Sequence, residues 1–397
     1  MISADEALAL VLEHARAHAS APIVLDAGSA LGLTLEEPLV ADRDYPPFDR
    51  SVMDGFAVRI AHAGRTVPIR GESRPGVAGA PSPDDDGCIE IMTGAPCPLG
   101  TEAVVMKEEV RKEAGVATFP PGISRGQNIV SRGSERRSGE VVLPKGAVIT
   151  PITVALLATL GQLTVRARPL PTVALLVTGD EVVAAGPLPT DVEIRDSNGP
   201  MLEAMARAIG VTRVGRQSVR DTPVALGAAL EAASFADVVV LTGGVSAGNY
   251  DLVPAALVSH GATVVFHKVR QQPGKPILFA TKGARMFFGL PGTPLGCHLG
   301  FHRYVGSALR SMAGKALRAE ERGQIALAWS TKSPRRQFVL AKVVRRDAAW
   351  SVTPVVPMGS SDLFTAWEAN ATMNVPEGTR ELPVGAEVTF EWLDGAS

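Results

Sequence analysis

The segment 237-DVVVLTGGVSAGNYD-251 indicates the fold of the central part of the chain. Val238 to Leu241 form a continuous apolar run, which is typical of a strand that is buried on both faces of a sheet. Thr242 and two adjacent glycines follow, and a mostly apolar stretch at 252–261 has the length and composition of a helix. A strand, a glycine turn and a helix in this order are typical of a parallel α/β sheet.

The same alternation extends from residue 172 to residue 310. Predicted strands and helices follow one another as strand 173–178, helix 200–210, strand 215–219, helix 222–234, strand 237–242, helix 252–261 and strand 263–266. Two further apolar runs flank a turn at 281–284, and residues 295–310 form a closing helix. Strands separated by helices of about ten or more residues imply parallel pairing with right-handed crossovers. We therefore predict an α/β domain with a mostly parallel sheet.

The flanking regions have different patterns. Residues 4–18 have helical spacing after Ser3, a suitable N-cap residue. Short apolar runs broken by Gly and Pro predict a β-rich domain from about residue 25 to 142, and 141-VVLPKGAVI-149 is typical of a hairpin. A helix is predicted to begin at Pro151, and short runs after Gly314 predict a small all-β domain at the end of the chain.

Composition excludes several classes of protein. The 397 residues include 39 basic and 41 acidic side chains, so a dedicated nucleic-acid-binding protein is not expected. The three cysteines have no C-x-x-C spacing, which indicates a reducing compartment and neither a zinc site nor a disulfide framework. No run of about 18 apolar residues or signal-like N-terminus occurs. We expect a soluble, cytoplasmic protein without a membrane partner.

The loops after the predicted strands carry the candidate chemistry. Ligands of an open parallel sheet bind beyond the carboxyl ends of its strands, where helix N-termini and free backbone N–H groups converge. Glycines allow an anion to approach the backbone, and Thr242 and Ser246 add hydroxyl donors. A single such loop is a common structural turn, but several on one edge predict an anion-binding site. These loops are 178–181, 220–222, 242–251, 269–276 and 291–294.

Glu181, Asp221 and Asp251 would share that edge of the sheet. Three carboxylates beside bound phosphate repel one another unless a divalent cation lies between them, and hard oxygen ligands favour Mg²⁺. The alternative is that Asp221 and Asp251 are N-caps of the helices that follow them. Lys275 lies between two prolines, so a stiff loop presents its ammonium group, although a solvated surface lysine is the simpler interpretation.

The β-rich region contains two further clusters, 46-PPFDRSVMDGFA-57 and 91-IMTGAP-96. Their composition alone predicts a turn followed by a strand, with Asp54-Gly55 as a hairpin signal. At these residues, however, the sequence resembles the molybdopterin molybdenumtransferases of the MoeA type, which are related to the gephyrin E domain. The motifs that carry the resemblance, in the family's order, are PPFDRSVMDGFAVR, IMTGAPCPLGTEAVVMKEE, TGDE, DSNGPML, GGVSAGNYD and PGKP.

The resemblance covers almost the whole chain and implies an architecture of four domains per protomer. These would be a discontinuous linker domain I, a β-rich domain II, the α/β domain III that binds molybdopterin, and a C-terminal β-barrel IV. The implied boundaries are 1–22 with 40–50 and 132–170 for I, 23–39 with 51–131 for II, 171–315 for III, and 320–397 for IV. The resemblance also implies a homodimer whose active site is shared between the chains.

The implied reaction inserts molybdenum from molybdate into adenylylated molybdopterin and releases AMP, with Mg²⁺ assisting. An upstream molybdopterin adenylyltransferase would be a partner. The catalytic residues implied are Asp54, Thr93, Glu181, Asp221, Asp251 and Lys268, of which Glu181, Asp221 and Asp251 would bind the metal. The loops and the motifs together predict substrate binding by Thr178, Gly179, Asp180, Ser197, Thr242, Gly243, Gly244, Ser246, Gly248, Pro273, Gly274, Lys275, Pro291, Gly292 and Thr293.

The sequence departs from the family pattern at three places. Gln272 stands where a second lysine is expected, Thr293 replaces the asparagine of a P-G-N-P turn, and 134-SERR-137 replaces an acidic pair. Arg270 or an arginine of 132–137 would have to supply the missing positive charge. Two other functions remain open at this point: a molybdopterin adenylyltransferase-like enzyme, and a non-catalytic scaffold that keeps the fold.

Overall fold

The computed structural model describes residues 1–186, 188–245, 252–346 and 349–394. The chain divides into two compact units. The larger unit contains residues 1–36, 148–151 and 164–397, and the smaller unit contains residues 37–147 and 152–163. Among the described helices, none is both long enough and apolar enough to cross a membrane.

The α-helices are α1 (Ala4–Ala17), α2 (Pro151–Thr159), α3 (Asn198–Ile209), α4 (Pro223–Ala232), α5 (Leu252–Ser259), α6 (Pro294–Gly300), α7 (Gly306–Met312) and α8 (Leu363–Ala366). A π-helical turn at Phe301–Val305 joins α6 to α7. The first helix begins as predicted, because the Glu6 N–H donates to Ser3 Oγ at 3.1 Å and satisfies a free donor of the first turn.

The strands of the first 170 residues are β1 (Ile23–Asp26), β2 (Thr34–Leu35), β3 (Leu39–Val40), β4 (Arg50–Ser51), β5 (Gly55–Val58), β6 (Thr66–Ser73), β7 (Cys88–Ile91), β8 (Ala103–Met106), β9 (Arg111–Glu113), β10 (Val116–Thr118), β11 (Ile129–Val130), β12 (Val141–Leu143) and β13 (Thr164–Arg168). Those of the α/β region are β14 (Val173–Thr178), β15 (Val182–Val183), β16 (Ile194–Arg195), β17 (Val214–Val219), β18 (Val238–Thr242), β19 (Thr263–His267), β20 (Gln271–Gln272), β21 (Leu278–Lys282) and β22 (Arg285–Leu290). The remaining strands are β23 (Glu321–Ile325), β24 (Trp329–Ser330), β25 (Arg336–Arg346), β26 (Ala349–Pro354), β27 (Ala371–Val375), β28 (Glu381–Leu382) and β29 (Glu387–Trp392).

The α/β sheet has the strand order β17-β14-β18-β22-β21-β19. The first four strands pair in parallel, as predicted. The predicted parallel pairing of β19 is wrong, because β19 pairs antiparallel with β21. Only two residues separate β21 from β22, so these two strands form an antiparallel hairpin and β21 lies between β19 and the parallel strands. The prediction of a mostly parallel α/β sheet is nevertheless confirmed.

Helices cover both faces of this sheet. Val173 and Leu175 of β14 pack in a core with α1, α3 and α7, whereas Ala174 and Leu176 pack in a second core with α4 and α5. All residues of β14 and β18 are buried, which explains why their sequences are continuous apolar runs rather than alternating ones. With both faces covered, the carboxyl edge of the parallel strands is where loops can meet a ligand.

The smaller unit is rich in strands, as predicted, and its main sheet has the order β8-β5-β7-β6-β10-β9. The hairpin predicted for 141–149 is wrong, because β12 pairs with β3 instead. Beyond the turn at Pro144–Ala147, the Ile149 N–H donates to the Leu33 carbonyl at 2.8 Å. The two halves of the predicted hairpin thus satisfy their backbone groups with different strands.

The C-terminal region forms the predicted β-barrel. Strands β25, β26, β23, β29 and β27 follow one another in the sheet, and β25 also pairs with β27, which closes five strands into a barrel. Its interior is filled by apolar side chains such as Val343, Val352 and Phe390. Closure removes free edges from the five strands.

Candidate active site

Four of the predicted loops meet at the carboxyl edge of the sheet. Thr178 at the end of β14 pairs with Val219 of β17, and Val177 pairs with Thr242 at the end of β18. Thr242 in turn pairs with Leu290 at the end of β22. The loops that begin after these residues are therefore neighbours, as the sequence predicts for parallel strands.

The glycines of the loop after β18 are required by close backbone contacts. Gly243 and Gly244 have φ angles of 96° and 61°, in the left-handed region that glycine tolerates best. A Cβ atom on Gly243 would lie 2.6 Å from the Thr178 carbonyl oxygen, which is impossible without a backbone shift. The Gly243 N–H donates to the Leu290 carbonyl at 3.1 Å. These glycines therefore allow three strand ends to lie close together.

Thr242 and Ser197 lie near this loop but in different surroundings. Thr242 is buried, and its hydroxyl donates to the Pro291 carbonyl oxygen at 3.3 Å, so it is used within the protein. Ser197 precedes α3 and is half-buried, and its side chain makes no capping hydrogen bond to that helix. Thr178 is buried, whereas Gly292 and Thr293 are exposed on the loop after β22.

Asp221 is not an N-cap, so the capping alternative is wrong for this residue. The cap of α4 is Thr222, whose hydroxyl accepts from the Ala225 N–H at 3.2 Å. Pro223 occupies the first helical turn, as is usual. The side chain of Asp221 is thus free of a capping role and available for a ligand.

Three carboxyl groups of the described site influence one another. Burial raises the pKa of Asp221 above its ordinary value, the negative charges of Asp180 and Glu181 raise this pKa further, and the Thr178 hydroxyl partly opposes the rise. The Asp221 N–H donates to Asp180 Oδ1 at 3.3 Å, which ties the two loops together. The site therefore accumulates negative charge that a cation would neutralise.

The expected Mg²⁺ ligands are placed only in part. Ser246, Gly248 and Asp251 lie outside the described residues. Within the described ranges, no three His, Cys, Asp or Glu side chains are arranged to hold a metal ion. The donor chemistry nevertheless fits Mg²⁺, because Asp221 and Glu181 offer hard oxygen ligands whose charges repel each other.

The loop at 268–276 presents two lysines. Lys268 has a φ angle of 76°, an unfavourable conformation for a residue with a side chain. The backbone holds it there: the Lys268 N–H donates to the Ile277 carbonyl at 2.9 Å, and the Ile2 N–H donates to the Lys268 carbonyl at 3.3 Å. Lys275 and Gln272 are exposed. Arg270 lies 3.8 Å from Glu377, so this arginine already faces a carboxylate.

A second polar cluster lies in the smaller unit. Asp54 Oδ1 accepts hydrogen bonds from the backbone N–H and the hydroxyl of Thr93, both at 2.8 Å, and Asp54 Oδ2 lies 3.2 Å from Lys107 Nζ. The Thr93 backbone bond, the Thr93 hydroxyl bond and the Lys107 ammonium, in that order, lower the pKa of Asp54 to about 2. The carboxylate is therefore ionised at neutral pH.

Strand pairing explains why these residues meet. Strand β5 runs antiparallel to both β7 and β8, so Gly55 at its start lies opposite Ile91 and Met106 at their ends. Asp54 consequently faces the residues that follow those two strands. Sequence reasoning missed Lys107, although its position directly after an apolar strand in the motif AVVMKEE was a usable signal.

Comparison with known proteins identifies three family regions. Residues 2–161 match the MoeA N-terminal region with domains I and II, residues 174–311 match a probable molybdopterin binding domain, and residues 322–393 match the MoeA C-terminal region with domain IV. The chain is 32% identical to the molybdopterin molybdenumtransferase of Staphylococcus aureus over 90% of its own length and 88% of that protein. It is also 32% identical to the molybdopterin molybdenumtransferase of Staphylococcus epidermidis, over 97% of its own length and 94% of that protein.

Solved structures agree with these relationships. The crystal structure of a molybdopterin biosynthesis MoeA protein from Pyrococcus horikoshii superposes over 100% of both chains with a TM-score of 0.82 and 26% sequence identity. The structure of a molybdopterin biosynthesis MoeA protein from Pyrococcus horikoshii OT3, which is 24% identical, gives a TM-score of 0.80. Sequence identity across nearly the whole length, together with the three matched regions, shows that the chain belongs to the MoeA family of molybdopterin molybdenumtransferases.

Proposed function

We propose that the chain inserts molybdenum from molybdate into adenylylated molybdopterin and releases AMP. The chain is a transferase of molybdenum cofactor biosynthesis, as its relatives are. The observation that carries the finer proposal is the meeting of glycine loops and carboxylates at one edge of the α/β sheet. The matched N-terminal and C-terminal MoeA regions argue against an adenylyltransferase-like enzyme. The acidic residues Asp54, Glu181 and Asp221 at the expected positions argue against a non-catalytic scaffold.

In this proposal, backbone groups hold the anionic part of the substrate. The loop that starts at Gly243 and Gly244, extended by Ser246 and Gly248, would surround phosphate oxygens with N–H and hydroxyl donors. The remaining substrate contacts would come from Thr178, Gly179, Asp180, Ser197, Pro273, Gly274, Lys275, Pro291, Gly292 and Thr293. Fixed donors need no rearrangement when charge develops on the phosphate, so they favour the transition state.

Breaking the phosphoanhydride to AMP requires neutralisation of negative charge on the phosphate oxygens. Lys268 would supply part of that charge, since the strained backbone of its loop fixes the position from which its side chain extends. Glu181, Asp221 and Asp251 would hold Mg²⁺, which when bound neutralises phosphate charge and orients the group. Asp54 and Thr93 would act as one hydrogen-bonded pair with a permanently ionised carboxylate.

The proposal includes a homodimer with an active site shared between the chains, in which Asp54 and Thr93 of one chain serve the α/β loops of the other. A two-fold axis would create two such sites per dimer. The substrate would come from an upstream molybdopterin adenylyltransferase in the cytoplasm. Its chemistry requires such a supplier, because the AMP that leaves must first have been attached.

The direct test is turnover by the purified protein. Adenylylated molybdopterin, molybdate and Mg²⁺ are mixed with the enzyme, AMP is quantified by chromatography, and the product is used to reconstitute a molybdoenzyme that lacks its cofactor. We expect AMP release that depends on molybdate and an active reconstituted enzyme. AMP release no faster than in the protein-free mixture would contradict the proposal.

A further inference from the structure

One buried side chain joins three of the loops at the carboxyl edge. Asn198, the first residue of α3, is 8% exposed. Its amide Nδ2 donates to the Thr242 hydroxyl oxygen at 2.9 Å and to the Gly292 carbonyl oxygen at 2.8 Å. The N-terminus of α3, the end of β18 and the loop after β22 therefore converge on a single amide group.

Thr242 is the second member of this arrangement. It is 1% exposed, and its hydroxyl accepts from Asn198 and donates to the Pro291 carbonyl at 3.3 Å. The Cys297 thiol lies 3.5 Å from the same oxygen. A hydroxyl that already has these partners has no proton left to donate to a phosphate oxygen. Thr242 is therefore better suited to support the loops from within the protein than to contact a ligand.

We propose that Asn198 and Thr242 are positioning residues, which set the distance between the glycine loop at 243–244 and the loop at 291–293. This inference deepens the proposed function, because it concerns how the same site is held ready for a nucleotide phosphate. The two loops are in direct contact: a Cβ on Gly292 would lie 3.5 Å from the Gly243 Cα. A small shift of either loop therefore moves the other.

The physical reason is the cost of leaving buried polar groups without partners. Removing the Asn198 amide leaves the buried Thr242 hydroxyl and the carbonyl of the exposed Gly292 without their donor. The loops would then relax until water or another group satisfies these atoms. Asn198 Oδ1 itself has no hydrogen-bond partner among the described residues. Such an incompletely satisfied group is retained in a folded protein only at some cost in stability.

The chain offers a matched control for the threonine. Thr172 is also buried, and its hydroxyl bonds to Asp237 Oδ2 at 2.8 Å and to the Phe235 carbonyl at 3.1 Å. It precedes β14, at the amino-terminal edge of the same sheet and away from the ligand loops. Thr242→Val and Thr172→Val are thus the same chemical change in one domain, and only the first removes a loop contact.

The first measurement is amide hydrogen exchange in the protein without ligand. We expect Asn198→Ala and Thr242→Val to accelerate exchange in peptides that cover residues 241–245 and 290–294. Thr172→Val should leave those peptides unchanged. Unaltered exchange in both loop variants would overturn the proposal, whatever the protein's activity is.

The second measurement is the affinity for AMP, by calorimetry, together with steady-state turnover. We expect AMP to bind about tenfold more weakly to Asn198→Ala and Thr242→Val, in line with the loss of one buried hydrogen bond. Thr242→Ser keeps the hydroxyl and should recover most of that loss. The double variant Asn198→Ala with Thr242→Val should lose less than the product of the two single effects, because both act through one contact.

The outcomes separate this inference from the proposed function. Faster loop exchange with an unchanged AMP affinity would mean that the contact is merely structural and would overturn the positioning role. The positioning role would be supported if Thr172→Val lowers the melting temperature about as much as Thr242→Val does but leaves the AMP affinity unchanged. Wild-type protein that binds AMP but releases none from adenylylated molybdopterin would overturn the proposed function and leave the positioning role supported by its own measurements.

Discussion

Thr93 donates two hydrogen bonds to the same oxygen of Asp54, one from its backbone N–H and one from its hydroxyl, each 2.8 Å long. Lys107 lies 3.2 Å from the other oxygen of that carboxylate. All three groups favour the ionised form, which is why the pKa of Asp54 falls to about 2. Asp54 is therefore suited to be a fixed negative charge and a hydrogen-bond acceptor, and not a proton carrier near neutral pH.

We predict that Thr93→Val raises the pKa of Asp54 towards its ordinary value, whereas Thr93→Ser leaves it near the wild-type value. Valine keeps the shape and the backbone N–H but removes the hydroxyl, so only one of the two bonds is lost. Carboxyl chemical shifts measured by NMR during an acid titration report the pKa directly. A midpoint that does not differ between the valine and serine variants would contradict the role of the hydroxyl.

The lowered pKa of Asp54 also predicts a pH dependence of stability. Because the folded-state pKa of about 2 lies below the ordinary 3.8, the stabilising effect is fully present above 3.8 and is lost as the pH falls towards 2. The difference in urea midpoint between wild type and Asp54→Asn should thus be constant at pH 5–8 and shrink in acid. A difference that grows below pH 4 would show that Asp54 is not held in its ionised form.

We predict that Asp221→Asn makes the protein more stable and less active. Burial and the charges of Asp180 and Glu181 disfavour the ionised carboxylate, as the raised pKa of Asp221 shows, so a neutral amide relieves repulsion. We expect a higher melting temperature in EDTA and a rate of AMP release lower by about a hundredfold. Thr222→Ala, which removes the cap of α4, should lower stability instead. Equal or lower stability of Asp221→Asn would contradict the electrostatic account.

We predict that Gln272→Lys increases the affinity for molybdate at low salt. Gln272 is exposed and lines a cavity of about 330 Å³ together with Gln337, Ser360 and His298. Burial, above all, lowers the pKa of His298 to about 4, so this histidine is neutral at pH 7 and none of these four side chains carries positive charge. An added ammonium group should attract an oxyanion, with an effect that decreases as the ionic strength rises.

The control for this prediction is Gln217→Lys, which adds the same charge on the exposed edge strand β17. Titration calorimetry with molybdate at two salt concentrations compares the two variants. An equal gain for both lysines would mean that net charge, and not position 272, controls the affinity.

We predict that inactive Asp54→Asn and Asp221→Asn chains complement each other when they are unfolded together and refolded as mixed dimers. If the site is shared between chains, each mixed dimer has one site with both changes and one with neither. Random pairing makes about half of the dimers mixed, so activity should return to about a quarter of the wild-type value. Activity that stays at the single-variant background, with mixed dimers verified by mass spectrometry, would reject the shared site.

Local sequence signals predicted most of the architecture. Continuous apolar runs identified β14 and β18, and Ser3 marked the start of α1, because these features depend on neighbouring residues alone. The partner of β19 was not predictable in this way. Its neighbour β21 comes later in the chain and belongs to a hairpin with β22. The pairing of β19 therefore depends on where that hairpin lies in the sheet, which local sequence does not indicate.

Local sequence signals were also insufficient to identify every residue of the candidate site. Sequence reasoning selected Asp54 and Thr93 through a resemblance, but it missed Lys107 and the amide of Asn198, whose roles follow from strand register and burial. It also could not decide whether Asp221 caps a helix, because Asp221 and Thr222 are both good N-cap residues and only the backbone conformation selects one of them. The domain boundaries and the metal ligands remain predictions.

The ion pairs near the end of α7 limit which fragments of this region are expected to fold. Arg310 of α7 and Arg318, which follows that helix, both pair with Asp394, two residues after the last strand of the barrel. A fragment limited to residues 174–311 would leave Arg310 without this counter-ion, and it would also lack α1, which fills one face of its core. In this chain, the segment 174–311 is therefore not expected to fold when it is expressed alone.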